Sequence, residues 1–206
     1  MKHIVCIGPG RIGEAVIPCL QANGFTVQVL SRQDYGDFCE GAFLPEAAIA
    51  KVTACDAVIF FAGLFELHAD EARMLQANCT AIVRLAEAFH ARFPQAQMVT
   101  FLDSRIHRAV ETQPVAVQAY LKAKQALATW TLEQAVTWGQ ATGTRMNAIA
   151  PGPVLPPPDK AHSEKAGVCL TVRPTAMDIA RALLFLLETP SVTGQILYVA
   201  AGQQLL

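Results

Sequence analysis

Ile4-Val5-Cys6-Ile7-Gly8-Pro9-Gly10-Arg11-Ile12-Gly13 runs from four apolar residues straight into a glycine-rich turn and then into a helical pattern. The apolar residues read as a strand buried on both faces. The turn has the G-x-G-x-x-G spacing that lets backbone amides and a helix N-terminus approach a pyrophosphate. Gly8, Gly10 and Gly13 are therefore candidate dinucleotide-binding positions, Ile12 lies in the same turn, and Arg11 adds a cation where phosphate would lie. Alone the motif says little; a strand before it and a helix after it give it weight.

Working outward, apolar runs alternate with helical patterns. Strands are expected at His3 to Ile7, Phe25 to Leu30, Ala57 to Phe61, Gln97 to Leu102, Thr144 to Ile149 and Gln195 to Val199. Helices are expected from Arg11 to about Ala22, around Glu71 to Arg92, near Val115 to Thr137 and near Ala176 to Leu187. This rhythm predicts an α/β fold, a doubly wound Rossmann-type and mostly parallel sheet with helices on both faces. Between Ser31 and Ala57 only about 25 residues are available, interrupted by Gly36, Gly41 and Pro45, so the sheet should be abbreviated around its third strand. The 206 residues suit one dinucleotide-binding domain spanning 1–206.

With 16% charged residues and a formal net charge of -1, the chain offers no electrostatic footprint for nucleic acid or an anionic membrane. A small molecule fits better as partner. Its six cysteines contain no C-x-x-C pair and read as reduced, structural thiols, with no metal site implied. The sequence opens on the first strand, and no stretch reaches the roughly 18 apolar residues of a membrane span, so a cytoplasmic location is expected.

At the end of the second strand, where an NAD-binding protein usually has a carboxylate for the ribose hydroxyls, the chain has Leu30-Ser31-Arg32. A hydroxyl and a guanidinium suit a 2′-phosphate, so Ser31 and Arg32 point to NADP(H), while Asp34 two residues on keeps NAD open. Tyr120 and Lys124 lie one turn apart on one helix face. An ammonium beside a phenol is expected to move the phenol pKa from about 10 toward the working pH.

The glycine loop, the Tyr120-x-x-x-Lys124 pair, Asn147-Ala148-Ile149-Ala150-Pro151-Gly152-Pro153 and Val192-Thr193-Gly194-Gln195 together resemble the short-chain dehydrogenase/reductase superfamily in order and approximate spacing. The resemblance implies that Tyr120 is the proton donor or acceptor, that Lys124 tunes it and bonds the nicotinamide ribose, and that Asn78 supports a water-mediated relay. It also implies that Ala62, Gly63, Pro151, Gly152 and Val154, with Tyr120 and Lys124, contact the dinucleotide. Where the family carries a catalytic serine, this chain has Asp103 followed by Ser104. An aspartate there, Arg11 in the loop and Phe65 as a stacking ring resemble the pteridine reductase and dihydromonapterin reductase branch. Two departures stand out: Phe60-Phe61-Ala62-Gly63 replaces Asn-Asn-Ala-Gly, and Ala200-Ala201-Gly202 replaces Asp-Gly-Gly.

The expected activity is an NADPH-dependent reduction of a C=N or C=O group, with a dihydropterin as substrate and a 3-oxoacyl compound or other small ketone as the alternative. A sensor that binds NADP(H) without turnover is the reading from another class, motivated by Phe61 and Ala200. Residues 153–173, proline-rich at their start and carrying His162, are expected to cover the substrate. The family commonly assembles as dimers or tetramers; Leu127, Trp130 and Leu132 on the tyrosine helix suit either an interface or the core.

Overall fold

In the computed structural model, which describes residues 2–39, 43–154 and 167–206, six parallel strands form one sheet in the order β2-β1-β3-β4-β5-β6. They are β1 (His3–Ile7), β2 (Thr26–Leu30), β3 (Ala57–Phe60), β4 (Gln97–Phe101), β5 (Met146–Pro151) and β6 (Ile196–Val199). β1, β3, β4 and β5 are almost wholly buried and consist largely of Val, Ile, Ala, Met and Phe, as strands covered on both faces must be. The order reverses between β1 and β3, where such sheets open a crevice at the carboxyl ends of their strands.

Helices cover both faces. One core layer joins β1, β3 and β4 to α5 (Ala81–Arg92) and α6 (Val115–Thr142), through Leu85, Phe89, Leu121 and Leu127. The other joins the sheet to α1 (Gly10–Ala22) and α7 (Ala176–Glu188), through Val16, Leu20, Ile179 and Leu183. The tyrosine helix α6 ends at Gly143, whose φ of 77° makes the left-handed cap, and α7 starts at a capping box of Thr175 and Asp178. Leu127 is core, Trp130 packs partly buried against it, and Leu132 is exposed.

The abbreviation after Ser31 goes further than a short strand. Among the described residues no strand lies between β2 and β3; the connection holds two short helices, α2 (Arg32–Tyr35) and α3 (Pro45–Ala50). Tyr35 stacks on Phe38 with ring centroids 5.0 Å apart, and Phe43 meets Phe38 edge-on at 5.2 Å. This aromatic wedge fills the sheet's flank, and the Arg84 guanidinium of α5 lies over the Phe43 ring.

The helix expected around Glu71 to Arg92 is broken into α4 (Glu71–Leu75), a π turn at Gln76–Thr80, and α5. Such turns carry one residue more than an α turn and re-aim the side chains within them. Asn78 sits in this one.

Candidate active site

Two neighbouring cavities lie at the carboxyl ends of the strands and share Gly63 and Leu64 as common wall. The larger, about 560 Å³, is bounded by the glycine loop, the end of β2 and the aromatic wedge. The smaller, about 210 Å³, is bounded by Asn78, Asp103, Tyr120 and Lys124 with Phe65 and Gly152.

The larger cavity has the form of a dinucleotide cradle. Gly8 and Gly10 both adopt positive φ, 54° and 51°, and a Cβ on Gly8 would lie 2.7 Å from the Ala62 side chain. Outward from Gly10 there is open space, so backbone can approach a ligand closely. Gly13 serves packing instead: a Cβ there would lie 2.4 Å from the Pro9 Cβ and 3.2 Å from the Phe61 ring, so this glycine lets the loop fold onto the first turn of α1 and α1 close onto the end of β3. Phe61, the departure from the family pattern, packs against Phe101 with ring centroids 4.4 Å apart and planes tilted by 38°. Arg11 lies on the exposed side of the first turn of α1 and lines neither cavity.

At the far end of that cavity, Ser31 caps α2, accepting from the Gln33 amide and donating to Asp34. Asp34 is fully engaged, one oxygen on the Lys51 ammonium at 2.7 Å and the other on Ser31, contacts that hold its carboxyl below its ordinary pKa. It does not line the cavity. The Arg32 and Arg73 guanidinium-bearing side chains do, with Asp37 3.3 Å from Arg32.

The smaller cavity is assembled from α6, the end of β4 and the π turn. Asn78 is fully buried; its side-chain oxygen accepts from the Leu64 amide at 3.0 Å and its nitrogen donates to the Leu64 carbonyl at 2.8 Å. This bracket holds Gly63 against Lys124, so closely that a Cβ on Gly63 would sit 2.8 Å from the Asn78 oxygen and 3.1 Å from Lys124 Nζ. Lys124, 3% exposed, donates at 2.9 Å to the carbonyl of Phe101, one residue beyond the last β3–β4 pair. Burial pulls its ammonium down to about 8, against the opposing pull of Asp103 and Cys79.

The phenol of Tyr120 departs from the expectation that Lys124 lowers its pKa. Burial first, and then the negative charge of Asp103, hold it well above its ordinary value, with Arg105 opposing. Lys124 Nζ stands over the Tyr120 ring, 5.8 Å from the centroid. Tyr120 is thus a neutral, protonated acid at pH 7.

Asp103 faces this cleft, whereas the adjacent Ser104 turns away, fully buried, and donates to Gln203 at 2.7 Å. Both carboxylate oxygens of Asp103 are taken by Arg105, whose Nε and Nη2 approach to 2.9 and 2.8 Å. The same guanidinium lies 5.8 Å from the centroid of Phe65. Phe65 is 54% exposed rather than core, and meets Tyr120 edge-on at 5.0 Å. Arg105 is a site residue that sequence reasoning missed, as it missed Arg73 and Tyr35 in the larger cavity; its position two residues after Asp103 in a 3-10 turn carries no motif of its own. Pro151 and Gly152 line the cleft, while Val154 is buried in the α7 side of the core. The expected covering segment 153–173, His162 included, lies largely outside the described residues.

Residues 46–204 match the model of the family described as enoyl-(acyl carrier protein) reductase. No curated protein matches the chain. Among solved structures, the NADH complex of the 3-alpha-hydroxysteroid dehydrogenase from Pseudomonas sp. B-0831 is 21% identical with a TM-score of 0.81, covering 98% of this chain and 96% of that one. A 4-hydroxyisoleucine dehydrogenase complexed with NADH is 20% identical at a TM-score of 0.81, with 98% of each chain covered. FolM alternative dihydrofolate reductase 1 from Brucella canis, complexed with NADP, is 23% identical at a TM-score of 0.76, covering 100% of this chain and 95% of that one. At these identities the structures establish the fold.

Proposed function

The chain belongs to the short-chain dehydrogenase/reductase superfamily of oxidoreductases, and from that premise we propose that it is an NADPH-dependent reductase of a C=N or C=O group in a small, flat substrate. The observation that carries this reading is a neutral phenol, a buried ammonium and a carboxylate around one cleft of about 210 Å³ that shares its Gly63 wall with the dinucleotide cradle. Gly8, Gly10, Ala62 and Gly63 would hold the dinucleotide backbone. Arg32 and Arg73 line the cradle together with Asp37 and Glu14, and their guanidinium groups suit the additional phosphate of NADP(H), while Asp34 is committed elsewhere. Bound there, the reduced cofactor supplies a hydride equivalent.

The chain's own residues manage the proton. Tyr120 keeps it at neutral pH because burial and Asp103 disfavour the phenolate, so it is a donor to the oxygen or nitrogen being reduced. Lys124, whose pKa near 8 keeps it largely protonated at neutral pH, holds a positive charge 5.8 Å from the Tyr120 ring centroid. Asn78 fixes the Leu64 backbone and with it the wall on which the substrate rests. Phe65 presents an exposed ring for a flat heterocycle, a contact worth about 0.5 to 1.5 kcal/mol beyond area burial.

A dihydropterin is the substrate class this arrangement favours, because a carboxylate and an aromatic ring flank the acid. One observation supports a small ketone instead: Arg105 occupies both oxygens of Asp103, leaving the phenol as the principal donor. NADPH oxidation with dihydropterins and small 3-oxo compounds, beside NADPH titration of the same sample, tests all readings. Turnover of a pterin that falls severalfold in Asp103→Asn, with ketone turnover unchanged, supports the first. Turnover of ketones alone supports the second, and tight binding with no turnover makes the chain a sensor. We further propose that residues 1–206 act as one reductase domain, working in the cytoplasm as a homodimer or homotetramer; sedimentation reads its assembly.

A further inference from the structure

We propose that the Tyr35 hydroxyl is a further binding group for the cofactor, donating a hydrogen bond to the diphosphate of the dinucleotide beside Gly8. This rests on the dinucleotide reading above and adds a residue that neither the glycine-loop motif nor the tyrosine–lysine pair contains.

The position of the phenol is the first observation. Tyr35 comes from the shortened connection, yet its hydroxyl lies 2.9 Å from where a Cβ on Gly8 would be, at the floor of the glycine loop. Gly8, Pro9, Gly10 and Tyr35 line the same cavity. The connection that replaces an edge strand therefore delivers a side chain to the phosphate cradle.

Rigidity is the second. Tyr35 is 3% exposed, stacked on Phe38 and bordered edge-on by Phe43 at 6.4 Å, and its carbonyl accepts from the Leu44 amide at 3.0 Å. A phenol fixed on both sides loses little freedom when it binds, so its hydrogen bond is gained at small entropic cost.

The third concerns the proton. Among the described residues no group accepts the Tyr35 O–H, although the ring around it is buried. The hydroxyl itself opens on the cavity rather than into the core. Burial pushes the group up to about 12, so at neutral pH it is an uncharged donor that an anionic phosphate oxygen can meet without repulsion.

The test is Tyr35→Phe, which keeps the aromatic wedge and removes only the hydroxyl. Titrations of the full chain with NADPH, NADH and ADP-ribose, which share the diphosphate, are expected to weaken together by about five- to tenfold. The melting temperature without ligand should stay at the wild-type value, because the hydroxyl bonds no group among the described residues. Unchanged affinities overturn the proposal, as does a loss confined to NADPH, which assigns the hydroxyl to the 2′-phosphate. A loss matched by a fall in melting temperature makes Tyr35 a structural residue and overturns it too. If the wild-type chain binds none of the three, the dinucleotide reading itself falls; if wild type and variant bind alike, only this proposal does.

Discussion

The two ends of the cleft are built in opposite ways. At the proposed catalytic end, Tyr120 and Lys124 stand on a helix of 28 residues, Phe101 ends a fully buried strand, and Asn78 is locked by two bonds to the Leu64 backbone. At the proposed adenosine end, Ser31 caps a helix of 4 residues that carries Arg32 and Tyr35, followed by a wedge of aromatic rings instead of a strand. Groups that move protons need fixed distances and a dry setting, which long packed elements provide. Groups that hold a charged ligand tolerate an irregular frame, because phosphate recognition needs donors more than it needs a strand. The contrast predicts that changes at the first end appear in rates and proton equilibria, and changes at the second in affinity alone.

The largest expected effect is at the acid. Tyr120→Phe should lower kcat by about two to four orders of magnitude while leaving the NADPH dissociation constant close to wild type; undiminished turnover would remove Tyr120 from the mechanism and erase the contrast. Next comes the buried lysine. Its folded pKa of about 8 lies below the unfolded 10.5, so folding releases a proton between those values and stability rises with pH across that window. The desolvation cost is fully present below about pH 8, and the rise amounts to about 3 kcal/mol at most. Melting curves of wild type and Lys124→Met from pH 7 to 11 should converge differently, the variant lacking the rise. A parallel pH course in both proteins would show an ammonium better solvated than the geometry implies.

At the other end, Arg32→Ala should raise the NADPH dissociation constant about tenfold and leave NADH nearly unchanged, with kcat unaffected at saturation. Equal losses for both cofactors would take Arg32 away from the 2′-phosphate. The smallest effect separates neighbours within the catalytic end. Removing the negative charge in Asp103→Asn relieves one cause of the raised phenol pKa, so the basic limb of the kcat profile should move to lower pH. An unmoved limb would mean that burial alone sets it.

Much of this was legible in the sequence where one periodicity governed many residues. The buried strands announce themselves as apolar runs, and the pairing of Tyr120 with Lys124 follows from helical spacing alone. The aromatic wedge did not show, because Tyr35, Phe38 and Phe43 follow no period and meet only through tertiary packing. The π turn likewise leaves no mark in a sequence that reads as continuous helix. The direction of the Tyr120 shift was misread for a related reason: spacing reveals the lysine one turn away but not the depth of burial or the carboxylate arriving from β4. Arg105 was overlooked because its grip on Asp103 depends on a 3-10 turn that a sequence of Asp-Ser-Arg does not imply.

Gly63 and Leu64 form the partition between the two cavities, and the Asn78 amide clamps that partition from both its donor and its acceptor side. A wall common to two chambers makes their occupants thermodynamic neighbours: whatever the first arrival does to straighten it, the second no longer has to do. By reciprocity each ligand then changes the affinity of the other by the same factor. The strength of the coupling between cofactor and substrate is on this view a property of one short stretch of backbone.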